Sequence, residues 1–127
     1  MSFFVSDEPS YSACRRMIEQ SIARRAGLLT TNYVLTELVP LLSTRTRLTR
    51  PQVLALVASL ESVQELDIIH ISPELHRRAF ALLQARPGKE WSWVDAASFV
   101  VMQERGLSQA LTTDHHFDQA GFQRMIK

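Results

Sequence analysis

Apolar positions divide the first third of the chain into helix and strand segments. Phe3 to Val5 form an apolar stub that is either a short strand or the end of a helix. Between Pro9 and Gly27, apolar residues recur about every 3.6 positions, which predicts a helix. Leu28 to Thr31 are predicted to form a short buried strand, and Asn32 is predicted to cap the helix that follows.

The helix after Asn32 carries its apolar residues on one broad arc of its surface. Glu37 falls at the margin of that arc, beside Leu41. We therefore expect Glu37 to be half-buried, near the start of the helix.

The middle of the chain is also predicted to contain both helices and a strand. Ser43 to Arg50 form a polar, basic connector, and Pro51 begins the next helix. The β-branched run from Asp67 to Ile71 predicts a strand. Pro73 opens another helix, which ends before Pro87.

The stretch from Trp91 to Phe117 is the most informative part of the sequence. It is a nearly continuous apolar helix pattern with Asp95 in its first turn, followed by a short strand predicted to end on Asp114. A helix that is apolar on most of its surface is buried, so an acid at its start requires a partner or a cap. Phe122 to Ile126 form a possible edge strand.

Strands separated by helices favour parallel pairing with right-handed crossovers. The predicted fold class is α/β, a three-layer sandwich in which helices flank a parallel sheet, built as a single domain over residues 1–127. In such sheets ligands bind at the carboxyl ends of the strands. Glu37, Asp95 and Asp114 are all predicted to converge at that edge.

Composition limits the possible classes of protein. With 46% hydrophobic and 21% charged residues the chain is globular rather than disordered. Its single cysteine, Cys14, excludes an internal disulfide framework, and no apolar run approaches the roughly 20 residues of a membrane span. A cytoplasmic location without a membrane is therefore expected. The net charge of +1 does not predict nucleic-acid binding, but arginines occur in local clusters, which is the arrangement that phosphates favour.

Three acids that converge favour a bound cation. Each also has a local explanation, because Ser92 and Asp95 fit a capping box, Asp114 can cap a helix starting at His115, and Glu37 can be an ordinary exposed residue. Two carboxylates about 5 Å apart repel each other by roughly 3 kcal/mol at an effective dielectric constant near 20. A cluster of oxygen ligands suits Mg²⁺ or Mn²⁺, which can activate water for attack on a phosphodiester.

His115 and His116 are rival ligands for such an ion. Adjacent helical residues point about 100° apart, so we expect that both cannot readily face one ion. Ordinary surface or phosphate-contacting roles are favoured for both.

The segments LLTTNYVLTELVPLL and WVDAASFVVMQERGLSQALTTDHHFDQAGF resemble the PIN-domain ribonucleases, and specifically the VapC-type toxins of bacterial toxin–antitoxin pairs. The resemblance implies a five-stranded parallel sheet and cleavage of RNA with Mg²⁺ or Mn²⁺ held by Glu37, Asp95 and Asp114, with Asp118 assisting. It also implies an antitoxin partner, and a homodimer is expected. The basic connector and the site edge supply the expected RNA contacts, namely Arg45, Arg47, Arg50 and His115.

The sequence departs from the family pattern at its beginning. Family members open with a central strand that ends in an Asp, whereas here the first strand is predicted to be short or missing. Asp7 is the only acid available in that part, and its expected role is at a helix start. Loss of a central strand would expose backbone groups that Phe3 to Val5, a rearrangement or a second chain must cover.

Two alternatives to a ribonuclease stay open, and the missing acid motivates the first. One is a catalytically impaired PIN-like protein that binds an antitoxin or dimerises, using the apolar helices from Val34 to Leu60. The other is a different Mg²⁺-dependent phosphate enzyme that uses the same acids.

Overall fold

The structure of the protein is a computed structural model, and it describes residues 2–4, 19, 27–112 and 114–124. In chain order its strands and helices are β1 (Ser2–Phe4), β2 (Leu28–Thr31), α1 (Asn32–Arg45), α2 (Arg50–Leu60), β3 (Leu66–Ile69), α3 (Pro73–Ala85), α4 (Trp93–Arg105), β4 (Gln109–Leu111), α5 (His116–Gln119) and β5 (Gln123–Arg124). The helix predicted between Pro9 and Gly27 lies outside the described residues, apart from Glu19, which is helical, and Gly27 itself.

The five strands form one parallel sheet in the order β3-β2-β1-β4-β5. Neighbouring residues of a strand point to opposite faces, and in β3 they contact different apolar clusters. Ile68 packs with the cluster built by α1 and α2, whereas Ile69 packs with the cluster that contains Phe99 of α4. Helices therefore cover both faces of the sheet, and the predicted α/β three-layer architecture is confirmed.

The central position of the sheet is occupied by β1. Phe3 pairs with Leu29 of β2 on one side and with Ala110 of β4 on the other. The first strand was predicted to be short or missing. It is present, and with three residues it is short. Three residues suffice because β4 is itself only three residues long. Asp7 lies outside the described residues.

The boundaries of α1 differ from those predicted. Thr31, not Asn32, is the N-cap, and its Oγ1 accepts a hydrogen bond from the backbone N–H of Val34 at 3.2 Å. The Asn32 side chain instead accepts a hydrogen bond from the backbone N–H of Ile71 at 2.8 Å, which joins the start of α1 to the segment after β3. The helix continues through Arg45, so the first part of the predicted connector is helical.

The buried helix predicted from the apolar pattern is α4. All residues from Ala96 to Met102 are buried, and Gly106 ends the helix in the left-handed conformation, with φ of 67°. β4 ends at Leu111, so Asp114 lies beyond the strand rather than at its last position. Within the residues that the structure describes, no helix combines the length and the apolarity needed to cross a membrane.

Candidate active site

Asp95 is fixed by the first turn of α4. Its backbone N–H donates to Ser92 Oγ at 3.0 Å, and its Oδ2 accepts from the backbone N–H of Ser92 at 3.0 Å, which completes the predicted capping box. The side chain is 15% exposed. Burial is the main cause that raises the pKa of Asp95 above its ordinary value, and the negative charge of Asp114 raises it further, against the lowering effects of the Ser92 hydrogen bond and of His116. The carboxylate is thus held in place at an electrostatic cost.

Asp114 is fixed by the turn between β4 and α5. Its backbone N–H donates to Thr112 Oγ1 at 3.0 Å, and its Oδ1 accepts from the backbone N–H of His116 at 2.9 Å. The side chain is 21% exposed. The N-cap of α5 is His115, not Asp114 as predicted, and the His115 side chain makes no capping hydrogen bond. The Asp114 carboxylate still accepts a hydrogen bond from the first residue of the helix, His116.

His116 lies between these two carboxylates. Its Nδ1 is 3.1 Å from Asp95 Oδ2 and 3.3 Å from Asp114 Oδ1. Because both neighbours are acceptors, Nδ1 carries the proton in this arrangement. The predicted surface position is wrong for His116, which is half-buried and connects the two acids.

His115 is far more exposed, at 68% of its side-chain surface, and its Nδ1 is 3.8 Å from Asp114 Oδ1. One ligand atom from each of Asp114, His115 and His116 nevertheless lies within 4.8 Å of the others. This proximity makes a shared ion geometrically possible, and the ring centroids are 4.6 Å apart. That both histidines cannot readily face one ion stays a prediction.

Glu37 differs from the other two acids. It is exposed on α1 rather than half-buried as predicted. Within the described part of the chain, the charges that shift the pKa of Asp95 are those of Asp114 and His116. Among the described residues, the structure brings together Asp95 and Asp114 but leaves Glu37 outside their contacts.

The structure places the remaining predicted residues on α5, at the end of α1 and at the start of α2. Asp118 is in an ion pair with Arg124, with 2.7 Å between Oδ2 and Nε, which joins α5 to β5. Arg45 is the last residue of α1, Arg47 is exposed on the segment between α1 and α2, and Arg50 is exposed as the first residue of α2.

His116 is the residue that the sequence interpretation missed. The two adjacent histidines do not both lie within a long helix, because His115 precedes α5 and α5 has only four residues. A signal was present in the sequence, because a histidine two positions after a capping acid belongs to the same turn and can bend back toward it.

The donor set fits a divalent cation. Two carboxylates close enough to perturb one another, with an imidazole beside them, offer the oxygen and nitrogen ligands that Mn²⁺ accepts and the oxygen ligands that Mg²⁺ prefers.

Comparison with known proteins identifies the class. The family model described as the PIN domain matches residues 1–123, and the chain belongs to this family. It is similar to the 23S rRNA-specific endonuclease VapC20 of Mycobacterium tuberculosis, in both the CDC 1551 / Oshkosh and the H37Rv strains. The identity to each is 35% over 95 residues, covering 75% of this chain and 70% of the relative.

The crystal structure of Mycobacterium tuberculosis VapC20, described as a Sarcin-Ricin loop cleaving toxin, superimposes with a TM-score of 0.79. The sequence identity in that comparison is 27%, and the match covers 98% of each chain. The resemblance to VapC-type toxins drawn from the sequence is confirmed.

Proposed function

We propose that this protein is a metal-dependent endoribonuclease of the VapC toxin type, which hydrolyses phosphodiester bonds of RNA. The observation that carries the proposal is the approach of Asp95 and Asp114 to one imidazole in a PIN domain. The relative's action on 23S rRNA supports RNA as the class of substrate.

Asp95 and Asp114 would hold Mg²⁺ or Mn²⁺, with Glu37 and Asp118 as more distant acids that act through water. The ion, when bound, supplies positive charge that lowers the pKa of water and stabilises the charge developing on the phosphate. His116 donates a hydrogen bond toward both carboxylates and so orients them. The raised pKa of Asp95 supports a role in binding a cation, because a bound cation favours the ionised form of the carboxylate.

We assign binding of the RNA backbone to three arginines. Arg47 and Arg50 are exposed, and Arg45 ends the preceding helix. Their guanidinium groups can each form paired hydrogen bonds with phosphate oxygens. His115, exposed beside Asp114, is the proposed contact nearest to the scissile phosphate.

The proposal is tested by calorimetric titration of the purified protein with Mn²⁺, together with cleavage of RNA in Mn²⁺ and in EDTA. The expected result is one bound ion and cleavage that EDTA abolishes. Asp114→Asn should remove both while the circular dichroism spectrum stays unchanged. A wild-type protein that binds no Mn²⁺ would contradict the proposal.

The exposure of Glu37, outside the contacts of Asp95 and Asp114, favours a second candidate function. In this version the protein cuts RNA weakly or not at all and acts by binding an antitoxin or a second copy of itself. Cleavage that depends strongly on Glu37 would reject it.

A further inference from the structure

A second cluster of side chains lies near the acids and takes no part in holding them. It consists of Tyr33, His76, Phe80 and Trp93, and is called the aromatic surface below. Its residues belong to α1, α3 and α4, and three of them stand in the first turn of their helix. Those first turns follow β2 and β3 or contain Asp95, so the aromatic surface lies at the same edge of the sheet as Asp95 and Asp114.

The rings are held rigidly. His76 and Trp93 are stacked, with 4.2 Å between centroids and 21° between planes, and the Trp93 Nε1–H donates to the backbone carbonyl of His76 at 3.0 Å. The Tyr33 hydroxyl is hydrogen-bonded to His76 Nδ1. Phe80 lies 4.9 Å from Trp93, tilted by 43°. A ligand that used these rings would find them already ordered, which lowers the entropic cost of binding.

Two of these rings are exposed. Phe80 is 42% exposed and Trp93 is 37% exposed. In the described part of the chain three large apolar residues are exposed, and these two are in contact with each other. Trp93 begins a helix whose positions from Ala96 to Met102 are all buried. Adjoining exposed aromatics that the fold could have covered are typical of a binding surface.

The aromatic surface and the acids flank the start of α4 on different sides. Trp93 precedes Asp95 by two positions, and helical residues at that spacing do not face the same way. Asp95 faces His116, whereas Trp93 faces His76. The separation is therefore about the diameter of one helix, on the order of 10 Å. If a phosphate of an RNA strand lies at Asp95 and Asp114, a neighbouring nucleotide of that RNA can reach the aromatic surface.

Charge beside the rings fits a nucleic acid. Arg77 is exposed and precedes Phe80 by three positions on α3, so the two share a helix face. Unpaired RNA bases are commonly bound by aromatic rings on which they stack, with arginine beside them for the backbone.

We propose that Trp93 and Phe80 stack an unpaired base of the RNA next to the cleaved nucleotide, and that Arg77 contacts its phosphate. This inference rests on the proposed ribonuclease function and assigns a base-binding contact beside its active site. Truncation of one ring is expected to weaken RNA binding roughly 5- to 100-fold.

The first experiment uses Trp93 as its own reporter. The chain has two tryptophans, and Trp91 is buried, so Trp91→Phe leaves Trp93 as the only indole. This variant is titrated with oligoadenylate of about eight nucleotides, a length within the range of single-stranded binding sites. A sugar–phosphate oligomer of the same length without bases is titrated in parallel. Quenching of Trp93 fluorescence by the first and not by the second supports stacking, and equal quenching by both overturns it.

The second experiment separates binding from chemistry. Phe80→Leu keeps an apolar side chain but removes the ring, and the matched control is Leu54→Ala, which trims another exposed apolar residue, 46% exposed, on α2. Phe80→Leu is expected to raise KM for single-stranded RNA about 5-fold or more with kcat unchanged. An unchanged KM, or an equal change in the Leu54→Ala control, overturns the inference.

Two further outcomes distinguish this inference from the proposed function. If the wild type cleaves no RNA but its Trp93 is quenched only by the base-containing oligomer, the surface binds RNA and the proposed enzymatic function fails. If Phe80→Leu leaves oligoadenylate binding unchanged but converts a dimer to a monomer in sedimentation, the surface is an interface between copies of this chain and the inference is overturned.

Discussion

The acids on the two sides of the sheet edge are supported in different ways. Asp95 and Asp114 each accept a hydrogen bond from a backbone N–H, and both contact His116. Glu37 stands exposed on α1, outside those contacts. The carboxylates that also organise their helix ends are thus fixed before any ion binds. If Glu37 takes part in the proposed site, its ligand has to position it, and the site then has a pre-formed half and a half that depends on the ligand.

The largest effect should separate the two halves directly. Asp114→Asn is expected to reduce RNA cleavage on the order of 10²–10³-fold, because it removes a charge at the centre of the site. Glu37→Gln is expected to reduce RNA cleavage by less than about 10-fold, because Glu37 is proposed to act on the ion through water rather than directly. Initial rates of cleavage in saturating Mn²⁺ measure both, and equal losses would show that Glu37 joins the site fully when the ion binds.

The next effect concerns the hydrogen bonds that orient the acids. His116→Ala is expected to weaken Mn²⁺ binding roughly 10- to 100-fold, as loss of such a partner does at other metal sites. His116→Asn should restore much of the affinity, since its amide can donate from a similar position. Calorimetry measures the three proteins, with His115→Gln as the exposed control. Full affinity in His116→Ala would refute the orienting role.

A smaller effect should appear when the capping box that holds Asp95 is weakened. Ser92→Ala is expected to lower the free energy of unfolding by about 1 kcal/mol and to reduce cleavage, because Asp95 loses a restraint. Thr49→Ala removes the equivalent cap of α2 and should cost similar stability without affecting cleavage. Urea denaturation and cleavage rates are measured together. Equal cleavage losses in both variants would indicate a general effect of stability.

The smallest expected effect is a gain in stability. Because burial raises the pKa of Asp95, its ionised form destabilises the metal-free fold above that raised pKa, and the penalty disappears as pH falls toward the ordinary value of 3.8. Asp95→Asn keeps an acceptor for the Ser92 N–H without the charge. In EDTA at neutral pH we expect it to raise the free energy of unfolding by about 1 kcal/mol or less, a few degrees in Tm.

The gain of Asp95→Asn over the wild type should shrink as the pH is lowered through the raised pKa. Thermal denaturation at a series of pH values measures it. A variant that is less stable than the wild type at neutral pH would mean that the charge of Asp95 is stabilising, for instance through His116.

Much of the fold was predictable because its signals are local. The buried run in α4, the strand at Leu28 to Thr31 and the Ser92–Asp95 capping box depend on residues a few positions apart. The place of β1 was not predictable, since a stub of three residues carries no period and its central position depends on pairing with distant strands.

The same contrast holds for the candidate site. Asp95 and Asp114 were predicted because strand ends and helix starts meet at one edge of a parallel sheet. The contact of His116 with Asp95 joins residues far apart in the chain and depends on side-chain rotation, which sequence spacing does not determine. The exposure of Glu37 likewise depends on how α1 packs, and its place at the margin of the apolar arc left that undecided.

The double use of Asp95 Oδ2, as acceptor for both Ser92 and His116, has a consequence for descent within the family. A lineage that stopped cutting RNA would still lose stability by replacing Asp95 with a residue that cannot cap α4. Selection for the fold alone would then preserve a capping residue at position 95, either Asp or Asn, long after selection for catalysis had ceased. Glu37 caps nothing in the described structure, so its retention among relatives would be the better indicator that RNA is still being cut.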